Sequence, residues 1–332
     1  MKLRWTFLPL VCALVGAVPG FAGGGVVESA RAAGVEEISV AAKGGPRDFL
    51  FALSFEGESG VAVGDHGMLL TTGDRGATWT RQDGVFPPTG MLTVTKRSGK
   101  CIAAGQQGTI ERSDDCRNWE TVPALTEARL LSLDVNRHGF AMAVGEFGAV
   151  LASNDWGKTW RQLSVDWGAL IGREAEPHLY SVLVGEDDTV FIAGEFELIL
   201  RANDGGQKWS VLHSGERSLF GLSAAQDGHM IAVGQEGLIL RSTDSGKTWK
   251  PSNSGTSSIL TDAWLSADGR KAVVVGARTV LLSRDGGATF APDRSKASTR
   301  GIHSAVRGVD DLSEGAAAYV VGSSGDILRV VF

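Results

Sequence analysis

The chain has 332 residues, 43% of them hydrophobic and 21% charged, with a formal net charge of −6. That balance supports a packed core and argues against disorder, and the acidic sign without any basic run argues against nucleic acid as a partner. Gly is abundant at 45 residues and Pro scarce at 9; with no G-x-y period, this points to many tight turns rather than collagen or a linker.

The chain opens with Lys2 and Arg4, then an apolar run from Trp5 to Val18, broken by Pro19-Gly20 with small residues beyond it. The run is short for a bilayer span and right for a signal h-region. Residues 1–22 are read as a signal peptide cleaved after Ala22, with Ala32 or Ala33 as later sites and an uncleaved anchor as the alternative. Residues 23–34 are read as a flexible mature N-terminus. Val11 stands before Cys12 where a lipobox wants a small residue. No later segment is apolar for long enough to span a membrane, so the expected location is the periplasm. Cys101 and Cys116 are then the cysteines left, and an exported protein is allowed a disulfide.

From there the chain repeats itself. TTGDRGATW (71–79), ASNDWGKTW (152–160), RANDGGQKW (201–209), RSTDSGKTW (241–249) and LSRDGGATF (282–290) are copies of one string, and RSDDCRNW (112–119) is a shorter one without the Gly. The acids are Asp74, Asp115 (or Asp114), Asp155, Asp204, Asp244 and Asp285. Neighbours lie 40 or 41 residues apart, except for 49 between Asp155 and Asp204. A period of ~40–45 residues with strand-like segments is that of a β-propeller blade.

One unit reads in full. Leu219 to Ala224 is a strand, Asp227-Gly228 a turn, and His229 to Val233 a second strand. Gly234 to Gly237 is a tight turn, Leu238 to Ser242 a third strand, Asp244 to Gly246 a turn, and Trp249 opens the outer strand. Gly-x-x-Gly-like turns recur at 64–67, 105–108, 145–148, 194–197, 234–237, 276–279 and 322–325, which makes seven blades. The last unit, from Ile302, stops after three strands. Residues 35–42 have no blade of their own and are expected to supply its outer strand, closing the ring and removing exposed sheet edges. The fold class is therefore all-β: one seven-bladed propeller over 35–332 with four-stranded antiparallel blades and an inserted loop at 164–177.

The repeated string makes a turn. The Asp carboxylate accepts from backbone N–H groups just after it, the Gly takes a positive φ, and Trp79, Trp119, Trp160, Trp209, Trp249 or Phe290 packs between blades. Six copies of one residue set suit a framework, whereas catalysis needs one; a metal or sugar site is the weaker reading.

S-x-D-x-G-x-T-W is the Asp-box of neuraminidase-type (BNR) repeats. The fuller unit AVGQEGLILRSTDSGKTW (232–249) resembles the photosystem II stability and assembly-factor-like family of seven-bladed propellers, over about residues 35–332. Sialidases, xyloglucanases and sortilin-type receptors share the Asp-box alone. The resemblance implies an exported, non-enzymatic protein without a cofactor. Such a protein would bind an integral membrane protein or its assembly intermediate, a photosystem in photosynthetic hosts and an RND-type exporter in some others.

Blade two departs from the pattern. Pairing its strands about Gln106-Gln107 sets Cys101 opposite residue 113, close enough to Cys116 to consider a disulfide in place of the damaged turn; two buried thiols are the alternative.

Partner-binding candidates gather on the face of the Gly-x-x-Gly turns. The insertion carries Trp167, Leu170, Ile171 and Arg173, and long loops in compact repeats are often functional. The turns at 145–148 and 194–197 offer Phe147 and Phe196, which present outward or tuck into packing, with Glu146 and Glu195. Arg47, Arg129, His178, Arg217 and Arg300 each precede an innermost strand, either as a positive ring at the channel mouth suited to carboxylate or phosphate groups or as scattered solvated charges. Against chemistry, no His pair has metal spacing and no G-x-S-x-G occurs. The alternative is a glycan-binding propeller or a sialidase-like glycosidase, with Tyr180 or Tyr319 and Arg129, Arg217 and Arg300 imitating its site; sialidase propellers, however, have six blades.

Overall fold

A computed structural model describes residues 38–309 and 317–332. The expected signal peptide at 1–22, the expected flexible N-terminus at 23–34 and residues 35–37 lie outside the described residues. Among those described, no helix is long and apolar enough to cross a membrane.

Seven four-stranded antiparallel sheets are arranged as blades, with strands in chain order from the innermost outward. Blades one to six span residues 50–82, 91–122, 130–162, 179–213, 219–252 and 260–292. Blade seven is built from His303–Val309, Ala317–Gly322 and Ile327–Val331, and its outer strand is Ile38–Ala42 from the beginning of the chain. Ile38 pairs with Val330 and Val40 with Leu328, antiparallel. The ring is thus closed by residues 38–42 of the segment expected from the sequence.

Burial explains the strand composition. Second strands such as Ala141–Gly145, Met230–Gly234 and Ala272–Gly276 are buried at every residue. A strand covered on both faces reads as a continuous apolar run. Outer strands such as Thr80–Gln82 and Lys250–Ser252 are short and largely exposed, which blunts the sheet edge.

Innermost strands have N–H groups with no further strand beside them, and side chains of the preceding blade satisfy several. Ser54 Oγ accepts from the Lys96 amide at 2.9 Å, Asp134 Oδ2 from Val184 at 2.8 Å, Ser223 Oγ from Leu265 at 3.0 Å and Asp262 Oδ2 from Val306 at 3.0 Å. Burial pushes the Asp134 and Asp262 carboxyls up, against these hydrogen bonds and the pull of Arg307. Buried backbone donors need partners, so the blades are stitched together along the channel as well as packed.

The Asp-box is a turn built from the aspartate inward. Asp244 Oδ1 accepts from the Thr248 amide at 2.9 Å and Oδ2 from the Thr248 hydroxyl at 2.7 Å, while Ser242 Oγ accepts from Gly246 at 2.9 Å. Ser245 and Gly246 have φ of 57° and 75°. Trp249 Nε1 donates to the Gly246 carbonyl at 3.0 Å. Asp74, Asp155 and Asp285 repeat the carboxylate contacts, and Trp79 and Trp160 the indole bond. Asp204 keeps its bonds to Gln207 and Lys208, but Ala202 replaces the hydroxyl residue and the Trp209 indole N–H has no partner.

In blade two the box acid is Asp115, which accepts from the Arg117 and Asn118 amides at 2.9 and 2.8 Å. Asp114 instead pairs with Lys100 and Arg112. Cys116 takes the first positive φ, 57°, and the glycine after it is missing. Trp119 Nε1 accordingly lacks the carbonyl that its counterparts use. Cys116 is disulfide-bonded to Cys101 with Cα atoms 5.1 Å apart, and Cys101 stands opposite Ser113.

Candidate functional site

The Gly-x-x-Gly-like turns and the connections between blades share one face, opposite the Asp-boxes. Gly148 donates to the Pro177 carbonyl at 2.9 Å, Gly237 to Ser258 at 2.8 Å and Arg278 to Gly301 at 2.9 Å, each joining a turn to the connection leading into the next blade. A Cβ on Gly108 or Gly237 would lie 1.9 Å from a carbonyl oxygen of that connection, so these glycines follow from close approach as well as from positive φ.

The second residue of a turn holds the entry to its own blade. The Glu146 amide donates to the Arg129 carbonyl at 3.0 Å, and Glu146 Oε2 accepts from the Arg129 amide at 3.3 Å. Glu195 does the same with His178, and Gln235 with Ser218. The Glu146 and Glu195 side chains therefore have a structural job.

This pattern also fixes the phase of the basic residues. Arg129 and His178 occupy the entry position. Arg217 lies one residue before it, since Ser218 is the entry to blade five. Arg47 and Arg300 lie two residues before Phe49 and Ile302, the entries to blades one and seven. The five therefore do not share one position. Arg129 is mostly buried and paired with Glu146. Arg217 Nε donates to Glu197 Oε1 at 2.8 Å, and His213 Nε2 lies 3.1 Å from Glu197 Oε2. Arg47 and Arg300 are exposed.

The insertion behaves as packing. Trp167–Ile171 is a five-residue helix capped by Asp166, whose Oδ1 accepts from the Ala169 amide at 3.0 Å. Trp167 is 7% exposed and belongs to the core between blades three and four, with Leu170, Ile171 and Phe196 against it. Arg173 lies over the Phe196 ring at 4.7 Å and bridges to Glu216 at 2.9 Å. Phe196 thus tucks under the insertion, whereas Phe147 stands 61% exposed.

Phe147 begins a line of rings across three blades. Its centroid is 5.1 Å from His178; His178 is 6.3 Å from Tyr180, and Tyr180 is 4.9 Å from Phe220 in an edge-to-face contact. Edge-to-face packing at such distances is favourable. Tyr180 and Phe220 are the residues skipped by a bulge after the first residue of each innermost strand. The same bulge skips Phe51, Leu92, Leu131, Thr261 and Ser304 in the other blades. A bulge re-aims a side chain, and here it repeats sevenfold at the turn face, apolar in blades one to five. Burial, and then the charges of Glu195 and Glu146, push the Tyr180 hydroxyl well above its ordinary value. Beside Phe147, a hollow of about 390 Å³ is lined by Thr126, Glu127, Ala128, Glu146, Ala149 and Gln162. Sequence reasoning missed Tyr180 and Phe220 as a surface feature because a one-residue bulge is invisible in a hydrophobic pattern.

Comparison with known proteins agrees with this architecture. Residues 111–254 match the family model of photosynthesis system II assembly factor YCF48. The match runs from the third strand of blade two to the end of blade five, within the stretch whose resemblance to that family the sequence carries. YCF48 from Cyanidioschyzon merolae superposes with a TM-score of 0.68 at 17% identity, over 86% of this chain and 96% of its own. A structure described as YCF48 bound to D1 peptide gives 0.68 at 19% identity, over 90% and 97%. The GH74 xyloglucanase from Xanthomonas campestris gives 0.69 at 14% identity, over 89% of this chain and 53% of its own. Similarity at these identities establishes the fold. No curated protein matches the chain in sequence.

Proposed function

We propose that this protein is an exported, non-enzymatic propeller that binds a segment of a membrane protein and assists its assembly, like the YCF48 factors it resembles. The carrying observation is the run of rings Phe147, His178, Tyr180 and Phe220 on the turn face. A YCF48 propeller of the same fold is described with a D1 peptide bound, which supports a peptide segment as the ligand. Phe147 stands exposed with His178, Tyr180 and Phe220 half-buried behind it, and aromatic surface flanked by charge suits a peptide with apolar side chains. Arg47, Arg129, His178, Arg217 and Arg300 act here as a charged margin: Arg129 and Arg217 are held in place by glutamates, and Arg47 and Arg300 are exposed. The partner class includes a photosystem subunit or an RND-type exporter, according to the host. The periplasm is the proposed compartment, reached through the signal segment.

A glycan or glycosidase reading has a fold neighbour in the xyloglucanase. The carboxylates nearest the rings are engaged, however: Glu146 with Arg129, Glu195 with the His178 amide, and Glu197 with Arg217 and His213.

Affinity capture from host envelope extracts tests the proposal, comparing the wild type with Phe147→Ala. A membrane protein retained by the wild type and lost by the variant supports it. Equal retention by both places the interaction elsewhere, and capture of glycan without protein favours the second reading.

A further inference from the structure

The cleft between blades one and two carries an inference independent of partner binding. Asp-box glycines pack against the preceding blade: Gly157 meets Ile102 of blade two, and Gly287 meets Ile231 of blade five. Blade two lacks that glycine, and a cleft of about 330 Å³ opens beside the turn, lined by Val61, Thr71, Thr78, Lys96, Asp115 and Cys116 among others.

Lys96 reaches into this place from the innermost strand Met91–Arg97. It is 9% exposed, and its Nζ lies 3.3 Å from Cys116 Sγ. Among the described residues, that sulfur is the one hydrogen-bond acceptor of the ammonium. The carboxylate whose charge acts on it, Glu56, is committed to the Ser98 and Gly99 amides. Desolvation pulls the Lys96 ammonium below its ordinary value. A disulfide sulfur is a weak, neutral acceptor, whereas a thiolate in the same place is a full counter-charge. The other polar atom near the sulfur is the Gly99 carbonyl at 3.5 Å, a single dipole against a formal charge. A buried cation beside one cysteine therefore stabilises the reduced pair more than the oxidised pair. Stabilising the reduced form raises the reduction potential.

We propose that Cys101–Cys116 is a redox-active disulfide, opened by a dithiol reductant that enters the cleft between blades one and two, with Lys96 holding Cys116 as the thiolate. A reductant thiolate attacks Cys116 Sγ, the sulfur–sulfur bond breaks, and Cys101 leaves and takes a proton. The reductant's second thiol, deprotonated, then attacks its own sulfur in the mixed disulfide. Cys116 leaves as a thiolate paired with Lys96, and the reductant ends as a disulfide. Two electrons pass from the dithiol to the cysteine pair. Cys116 shares its positive φ of 57° with Arg75, Trp156 and Ser245 at the same position of other turns, which carry no disulfide, so reduction removes the cross-link and leaves the turn in place.

The test is equilibration of the full chain in dithiothreitol redox buffers, with the thiol fraction counted by alkylation and mass spectrometry. Lys96→Met is expected to lower the equilibrium constant for reduction about tenfold relative to wild type, ~30 mV for a two-electron couple. An unchanged or higher constant overturns the proposal. Should Lys96→Met not fold, the Cys101→Ser chain decides through the pH dependence of Cys116 alkylation. A midpoint below the ordinary thiol value of about 8.5 supports the pairing, and one at or above it overturns it.

Discussion

Arg217 of blade five donates through Nε to Glu197 of blade four at 2.8 Å, and that glutamate stands where five of the other six turns of this face place glycine. Glu197 keeps the left-handed backbone at φ 48°. Its carboxylate lies in space left by Gly215, where a Cβ would come within 2.5 Å of it. Burial raises the Glu197 carboxyl, but the Arg217 and His213 bonds outweigh it and leave it below its usual value. Glu197→Ala removes the ion pair and keeps the strained φ, whereas Glu197→Gly removes both. The glycine variant is expected to be the more stable of the two by about 1 kcal/mol, read from urea unfolding midpoints.

Charge reversal on this face should separate structural from binding residues. Arg129→Glu sets a second carboxylate against the mostly buried Glu146 and is expected to lower Tm by several degrees. Phe147→Ala removes a ring that is 61% exposed and should change stability by less than about 0.5 kcal/mol. Thermal melts of both variants check this pair of expectations.

Trp167 anchors the insertion rather than decorating it. Its indole also explains Gly148, where a Cβ would lie 2.1 Å from Nε1. Trp167→Ala is expected to cost about 3–5 kcal/mol by opening the core between blades three and four, measured by denaturant unfolding.

The Asp-boxes make acid stability predictable in sign. The Thr248 hydroxyl, then its amide, then Ser242 pull the Asp244 carboxyl down to about 2; for Asp74, Thr78 and then Thr72 do the same, also to about 2. A depressed folded value gives stability that is fully present above the unfolded value of about 3.9 and is lost as pH falls through the folded one. Tm should therefore drop between pH 4 and pH 2. Asp244→Asn should be less stable than wild type at pH 7 and converge on it near pH 2.

The architecture was legible because it is repeated. Six Asp-boxes and seven turns count the blades, and a last unit of three strands announces the closing strand at Ile38–Ala42. What repetition does not encode was hidden. Arg47, Arg129, His178, Arg217 and Arg300 look equivalent in the sequence, yet hydrogen bonds to the turns place them in three different phases. Trp167 reads as a loop residue because the core it fills comes from strands on two blades. Lys96 gives no sequence signal, since a lysine ending an apolar strand is ordinarily a solvated one.

The most direct test of the binding face is site-specific photo-crosslinking in host envelope extracts, with the crosslinker at position 147 and, as control, at the exposed Lys158 of the Asp-box face. The account expects a membrane-protein adduct from position 147 and none from position 158. Adducts from position 158 alone, or equally from both, would contradict a binding site on the ring-lined face.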